Sequence, residues 1–263
     1  MTKEQVREQF GANVAAYVSS PIHAQGASLA RLVERVAPGR EWRVLDLATA
    51  AGHTALAFAP HVAAIVGLDL TPEMLPPAMS LAAERGAFNI TFTVGDVEDL
   101  PFGDGAFDLV TCRIAPHHFP DIGRFVAEAA RVLRPGGALA VVDNIVPGSP
   151  LRGKKANRQR EAGQYVNAFE KLRDPSHVRC LSYEEWLDAL VTAGLTTETA
   201  ETLDKRLTFE TWAARHTPEM QTRLRVLLLR APADAAEFLD PQTHTGLTTF
   251  RLREGLFVAR RPL

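Results

Sequence analysis

The sequence predicts an α/β protein with a mostly parallel sheet, and three observations lead to that prediction. Short apolar runs recur in the first half of the chain, for example at Arg43–Leu47 and Ala64–Asp69, and read as buried strands. Small or turn-forming residues and then a helical pattern follow each run. The length of 263 residues and the hydrophobic content of 46% suit one such domain with a sizeable core.

The elements follow one another in the order that this fold class requires. Two helices are predicted first, at residues 3–18, with Val6, Phe10 and Val14 on one stripe, and at 25–36. Thr71 is expected to cap the helix after the second strand, with the helix proper starting after two prolines, Pro76 and Pro77. The remaining predictions are strands at 90–94, 107–112, 138–143, 196–202 and 255–259, and helices at 54–59, 121–133, 183–193 and 208–230.

Composition bounds the function. The net charge of −2 gives no bulk attraction to nucleic acid, and no run approaches the roughly 18 apolar residues of a membrane span. The charged N-terminus lacks the apolar segment of a signal peptide. The two cysteines, Cys112 and Cys180, exclude a disulfide framework. We therefore expect a cytoplasmic protein that acts on a small molecule and not on nucleic acid, without stable membrane insertion.

Residues 44–54 form the stretch around which the chain is organised. A strand there leads into small residues and a helix whose first N–H groups favour an anionic ligand group. The loop lacks the G-x-G-x-x-G of dinucleotide binding. Asp46 suits an ammonium group, and Asp69, at the end of the next strand, suits ribose hydroxyls. Together these two acids indicate S-adenosylmethionine (SAM) better than NAD.

The motifs now resemble a known family. Residues 44–54, Gly67-Leu68-Asp69, Gly95-Asp96-Val97-Glu98, 107–110 and 133–137 fall in the order and spacing of the class I SAM-dependent methyltransferases. The sequence is most similar to the type-11 branch, which includes the quinone-biosynthesis C-methyltransferases, over residues 10–195. The resemblance implies a Rossmann-like fold whose seven-stranded, mostly parallel sheet has an antiparallel last strand, with N-terminal helices and a helical insertion. One domain, 1–263, would divide into a helical lid (1–40), a SAM-binding core (41–145) and substrate-side segments (146–181 and 205–250).

The resemblance also implies a set of cofactor contacts. Asp96 would accept a hydrogen bond from the adenine amino group, and the backbone N–H of Val97 would bind a ring nitrogen. Tyr17 would lie near the amino-acid end of SAM, under the closed N-terminal helices, while Glu98 and Asp99 are expected to face solvent. The expected SAM-binding residues are Tyr17, Asp46, Ala48, Thr49, Ala50, Gly52, His53, Thr54, Asp69, Leu70, Met74, Gly95, Asp96, Val97 and Arg113.

One departure from the family pattern concerns the first loop. Family loops usually read D-x-G-x-G-x-G, and here Ala48 and Ala50 replace the first two glycines. Alanine is small enough for this turn if its φ angle stays negative, so SAM binding is expected to be kept.

Three histidines are candidates for the chemistry. His117 and His118 follow the fourth strand, where ligands bind in open α/β sheets, and histidine can take a proton near neutral pH. His118 is favoured. His177 lies in the segment D-P-S-H-x-R, which resembles one type-11 subgroup, and either His177 or Arg173 is expected to line the acceptor pocket. No ligand spacing supports a metal site.

Two segments and two other functions stay open. The basic residues from Arg152 to Arg160 form either a solvated helix face or a contact with an anionic substrate or a partner. The insertion before the last strand covers the site or forms a homodimer contact. The alternatives to a methyltransferase are a non-catalytic SAM- or nucleoside-binding module and, less favoured, an NAD(P)-dependent oxidoreductase.

Overall fold

The computed structural model describes residues 3–11 and 26–263, and the predicted strands occur there in the predicted order. The strands are β1 (Arg43–Leu47), β2 (Ala64–Asp69), β3 (Ile90–Val94), β4 (Phe107–Arg113), β5 (Leu133–Ile145), β6 (Thr196–Thr208), β7 (Gln242–His244) and β8 (Leu247–Arg260). The helices are α1 (Lys3–Gly11), α2 (Ala27–Val36), α3 (His53–Phe58), α4 (Leu75–Glu84), α5 (Ile122–Val132), α6 (Lys154–Arg173), α7 (Tyr183–Thr192), α8 (Phe209–Ala213), α9 (Pro218–Leu229) and α10 (Ala233–Leu239). Three short 3₁₀ turns lie at Ala59–His61, Pro72–Met74 and Pro116–His118.

The strands form one sheet in the order β3-β2-β1-β4-β5-β8-β6, with β7 paired to β8. Strands β1 to β5 are parallel, and β7 and β8 are antiparallel. The chain therefore reverses its direction of winding between β1 and β4, and such a switch point opens a crevice at the carboxyl ends of the strands. The register sets Asp46 of β1 opposite Gly67 of β2 on one side and Thr111 of β4 on the other.

Several predicted boundaries are wrong for identifiable reasons. Helix α4 begins at Leu75, before Pro76 and Pro77, because proline in the first turn gives up only an N–H that has no helical partner. Thr71 makes no side-chain cap bond; its backbone N–H and its side chain bond Asp69 instead. The predicted helix at 208–230 is two helices, because Thr217 caps a new helix at Pro218.

The strands in the last third of the chain are longer than predicted. Strand β6 continues from the predicted 196–202 to Thr208, and the final strand begins at Leu247 instead of residue 255. Strand β8 alternates buried and partly exposed residues over its added stretch, whereas β6 alternates partly buried and exposed residues and has none that are fully buried. Polar residues such as Arg251 and Arg253 obscured the pattern. By contrast, the capping box that opens α7 is confirmed, since Glu185 N–H donates to Ser182 Oγ and Ser182 N–H donates to Glu185 Oε2.

The backbone divides into two compact units. The first comprises residues 1–143, 189–201 and 256–263, and the second comprises residues 144–188 and 202–255. Each unit holds one of the two cysteines, both fully buried: Cys112 in the first and Cys180 in the second. Among the described residues, no helix combines the length and the apolar character needed to cross a bilayer.

The second unit has its own apolar core. Phe169 of α6 stacks on Trp212 with ring centroids 5.0 Å apart, and Phe250 meets Trp212 edge-on at 5.1 Å. Helix α6 approaches the preceding chain closely at Gly163, where an added Cβ would lie 2.1 Å from the carbonyl oxygen of Pro147. Gly163 is therefore required by the packing, although glycine in a helix interior is unfavourable by about 1 kcal/mol.

This close approach predicts that Gly163→Ala destabilises the protein in spite of alanine's better helix propensity. Overpacking of this kind is expected to lower the free energy of unfolding by about 1–3 kcal/mol, measured by urea denaturation. The matched control is Gly103→Ala, because Gly103 is exposed and an added Cβ there meets nothing within 4 Å. Equal stability of the two variants would contradict the packing role of Gly163.

Candidate active site

A cavity of about 990 Å³, open to solvent, lies where the carboxyl ends of β1, β2 and β4 meet in the first unit. Its position is the crevice that the reversal of the strand order predicts. The lining residues are Lys3, Phe10, Ala48, Thr49, Ala50, Ala51, His53, Thr54, Asp69, Leu70, Thr71, Met74, Asp96, Val97, Glu98, Arg113, Ile114, Ala115, His118, Phe119 and Pro120.

Two strand-end carboxylates hold the loop after β1. Asp46 is 1% exposed, and its oxygens accept hydrogen bonds from Thr49 Oγ1 (2.7 Å), Thr111 Oγ1 (2.7 Å) and the backbone N–H of Ala55 (3.2 Å). Asp69 accepts the backbone N–H of Ala50 at 2.8 Å. The loop is thus fastened from below by β1 and from the side by β2.

The structure therefore gives Asp46 a different position from the one expected. Its carboxylate lies beneath the loop and is absent from the cavity lining, so a direct contact with the amine of a ligand does not follow from this geometry. Burial raises the pKa of Asp46 to about 6, even though its hydrogen bonds to Thr49, Thr111 and Ala55 favour the ionised form. Asp69, which does line the cavity, also has a raised pKa because it is buried.

The two alanines of the loop do not keep the negative φ angle that was expected of them. Ala48 has φ 51° and Ala50 has φ 47°, both in the left-handed region that disfavours residues with a Cβ. The hydrogen bonds to Asp46 and Asp69 fix the loop in this shape and offset the local backbone strain. Gly52, with φ 80°, takes the position before α3 where glycine is unstrained.

The acids after β3 face the cavity together with a lysine. Asp96 and Glu98 both line it, and Glu98 is 5% exposed, so its expected solvent position is wrong. Lys3 of α1 lies 2.6 Å from a carboxylate oxygen of each. Glu98 also accepts the backbone N–H of Asp121, the residue that caps α5, at 2.7 Å. Asp99 is exposed, as expected.

The two histidines after β4 occupy different environments. His118 lines the cavity, and Phe10 of α1 meets its ring edge-on at 5.0 Å. His117 is buried and its Nδ1 donates to Asp143 Oδ1 over 2.6 Å. The two imidazole centroids are 4.2 Å apart. The pair therefore combines a cavity-facing imidazole with a neighbour whose tautomer is fixed by a buried carboxylate.

His177 and its neighbours are organised within the second unit. His177 is 2% exposed, and its Nε2 lies 2.8 Å from Asn167 Oδ1, which also accepts the backbone N–H of Cys180. Asp174 accepts both the N–H and the hydroxyl of Ser176. This geometry describes a rigid turn after α6, and the assignment of His177 to catalysis stays a prediction.

The basic stretch at the start of α6 is solvated. Arg152, Lys154, Lys155 and Arg158 are exposed, as expected for a solvated helix face. Arg160 donates to the carbonyl oxygens of Ser149 and Leu151.

The cavity gathers most of the predicted SAM-binding residues. Arg113 is buried there and donates to Ser28 Oγ. Gly95 and Gly52 are absent from the lining; at Gly95 an added Cβ would lie 2.5 Å from Leu68 Cδ1, so its role is to make room. Tyr17 lies outside the described residues. The predicted residues that line the cavity are Ala48, Thr49, Ala50, His53, Thr54, Asp69, Leu70, Met74, Asp96, Val97 and Arg113.

Sequence reasoning missed Lys3 and Glu98 as cavity residues. Lys3 sits in a charged N-terminal segment with no local motif, and its partners lie more than 90 residues away. Glu98 could have been found, because it lies two residues after the recognised Asp96, whose Oδ1 accepts its N–H. Among residues 3–11 and 26–263, no group of three or more His, Cys, Asp or Glu is placed to hold a metal ion.

The fold and the cavity at the strand ends define a class of α/β proteins that bind a small molecule. Comparison with known proteins identifies the family. The chain matches the family Methyltransf_11, a methyltransferase domain, over residues 45–141. It is 37% identical over 206 residues to the uncharacterized methyltransferase YcgJ of Bacillus subtilis (strain 168), which is 78% of each chain. The chain therefore belongs to the methyltransferase family, and the resemblance to its type-11 branch is confirmed.

Two further similarities concern a solved structure and a relative with an assigned methyltransferase activity. The crystal structure of YcgJ from Bacillus subtilis superposes with a TM-score of 0.81 at 32% identity, covering 90% of this chain and 98% of that chain. The demethylmenaquinone methyltransferase of Deinococcus radiodurans is 41% identical over 114 residues, or 42% of this chain and 46% of that protein. The predicted Rossmann-like fold is confirmed, and the protein is a SAM-dependent methyltransferase.

The left-handed backbone of the two alanines predicts that replacing one of them by glycine increases the stability of the protein. Ala50→Gly is expected to raise the free energy of unfolding by about 0.5–1 kcal/mol, because relief of the left-handed strain exceeds the extra entropy of the unfolded chain. Ala57→Gly, inside α3, is the matched control and should lower stability by about 1 kcal/mol. A loss of stability in both variants, measured by urea denaturation, would argue against strain at Ala50.

The raised pKa of Asp46 predicts a pH dependence. The folded protein takes up a proton at Asp46 near pH 6, whereas the unfolded chain does so near pH 4. The contribution of this group to the free energy of unfolding therefore increases as the pH falls from about 7 to 4. Denaturation of the wild type and of Asp46→Asn at pH 7, 6 and 5 should show their difference growing in favour of the wild type at lower pH. A difference that shrinks would overturn the assignment.

Proposed function

We propose that the protein transfers a methyl group from SAM to a small-molecule acceptor at oxygen, nitrogen or an activated carbon, with His118 as the general base. The observation that carries the proposal is that Asp69, Asp96 and His118 line the same cavity at the carboxyl ends of the strands. Two carboxylates that suit a nucleoside and an imidazole that can accept a proton therefore line the same cavity.

The residues that line the cavity fit a sulfonium nucleoside. Asp69 ends β2 and Asp96 follows β3. Asp96 keeps acceptor capacity after it accepts Glu98 N–H and Lys3 Nζ, because a carboxylate has about four lone-pair sites. Asp69 would hold the ribose hydroxyls, and Asp96 the adenine amino group. Leu70 and Met74 supply apolar surface beside them. The carboxylates also suit the positive charge of the sulfonium ligand.

SAM supplies the activated methyl group when it is bound, so the protein's task is alignment and exclusion of water. His118 would accept the proton that the acceptor loses, and general base catalysis of this kind contributes about 10²–10⁴-fold. His117, fixed by Asp143, would support its neighbour by presenting an ordered imidazole 4.2 Å away. The Phe10 ring closes one side of His118 and keeps water from it.

The acceptor is best sought among apolar molecules that carry one ionisable proton. Phe10, Ile114 and Phe119 line the cavity near His118 and offer apolar surface with few hydrogen-bonding groups. The partial similarity to a demethylmenaquinone methyltransferase supports including quinols and phenols in the first screen.

Substitution of His118 and Asp69 separates chemistry from binding. His118→Ala should lower kcat by about 100-fold or more while the Kd for SAM changes little, because the imidazole acts on the acceptor. Asp69→Ala should weaken SAM binding by about tenfold or more, because it removes the ribose acceptor and releases the loop amide of Ala50. Methyl transfer is measured with tritiated SAM, and Kd by calorimetry.

Two exposed residues serve as controls for these variants. His61→Ala and Asp99→Ala remove the same chemical groups away from the cavity and should leave both kcat and Kd unchanged. Equal loss of SAM affinity and turnover in His118→Ala would mark it as structural. Tight SAM binding without turnover on any acceptor would favour a non-catalytic binding module.

A further inference from the structure

Helix α1 contacts the cavity at both of its ends. At its first residue, Lys3 Nζ lies 2.6 Å from Asp96 Oδ2 and 2.6 Å from Glu98 Oε2. Near its last residue, Phe10 packs edge-on against His118. Seven residues of helix separate these contacts by about 10 Å, so α1 reaches from the adenine end of the proposed site to its catalytic end.

The charges under Lys3 make this contact more than a surface ion pair. The Glu98 side chain is 6% exposed and the Asp96 side chain 28%, so two neighbouring carboxylates share a poorly solvated position. Without the ammonium group they would repel each other, and a buried carboxylate left without its partner is strongly unfavourable. Burial lowers the pKa of Lys3, but its hydrogen bonds to Asp96 and Glu98 outweigh that effect, and the net shift is upward.

Glu98 connects this ion pair to the rigid part of the first unit. Its other oxygen accepts the N–H of Asp121 at 2.7 Å, and its backbone oxygen accepts Arg124 Nε at 2.6 Å. Both partners belong to the start of α5. Lys3 therefore fastens α1 to a carboxylate that is already held in place, and not to a mobile surface group.

We propose that Lys3 is a positioning residue that retains the bound cofactor, by fastening α1 to Asp96 and Glu98 across the nucleoside end of the cavity. This inference rests on the proposed function, because Asp96 is there the acceptor for the adenine amino group. Lys3 then acts through Asp96 in two ways. It orients the carboxylate that recognises the base, and it closes the route by which the nucleoside leaves.

The test measures release of S-adenosylhomocysteine, the demethylated form of the cofactor, from the full-length protein by stopped-flow fluorescence and calorimetry. Lys3→Met should release the nucleoside about five- to tenfold faster, with a correspondingly larger Kd, because a charge-assisted contact that closes the site is lost. Raising the salt concentration from 50 to 500 mM, which shortens the range of exposed charge interactions, should accelerate release from the wild type and not from the variant.

Three further variants show whether the ion pair itself is responsible. Arg7→Met removes an exposed cation from the same helix and should leave release unchanged, whereas Lys3→Arg should restore most of the slow release. Adding Glu98→Gln to Lys3→Met should give no further acceleration, because the two side chains act as one unit. Thermal unfolding without ligand checks that each variant is folded.

The outcomes separate this inference from the proposed function. If the wild type fails to bind S-adenosylhomocysteine, the proposed function is overturned. If the wild type binds but Lys3→Met releases the nucleoside at the wild-type rate at every salt concentration, Lys3 has no part in retention. Equal acceleration in Lys3→Met and Arg7→Met would also overturn the inference, because the general charge of α1 would then be the cause.

Discussion

The hydrogen bonds that Asp46 and Asp69 accept from the loop after β1 are the constraint on which the site depends. A buried carboxylate that accepts several donors is a strong fixed point, since each donor would lose a partner if it moved. Asp46 joins the loop to β1, β4 and α3 through Thr49, Thr111 and Ala55. The shape of the cavity floor thus follows from two acids, of which Asp69 lines the cavity and Asp46 lies beneath the loop.

This arrangement explains why the loop tolerates alanine where the family uses glycine. Left-handed backbone is unfavourable for Ala48 and Ala50, but the anchored neighbours leave the chain no other path. Both alanines also line the cavity. The loop therefore presents a preformed, slightly strained backbone to the cavity.

The fold and the strand-end acids of the site could be predicted from the sequence, because the sequence patterns that reveal them are local. Strand-end acids such as Asp69 and Asp96 stand next to apolar runs, and the parallel order of the strands brings them together. The position of Asp46 could not be predicted, because its partner Thr111 is 65 residues away and only the register reveals the bond. The contact of Lys3 with Glu98 is equally non-local. The second unit was harder still, since its interrupted helices and long strands lack a continuous hydrophobic period.

The placement of the two cysteines has a practical consequence. Cys112 is sealed inside the first unit, where burial and the nearby charges of Asp143, Asp46 and Asp69 raise its pKa, and Cys180 is sealed inside the second. A thiol reagent can modify either only after local opening, because the reactive form is the solvent-accessible thiolate. The labelling rate of each cysteine thus reports how often its own unit opens. Mass spectrometry of the labelled peptides can follow both rates without any engineered probe.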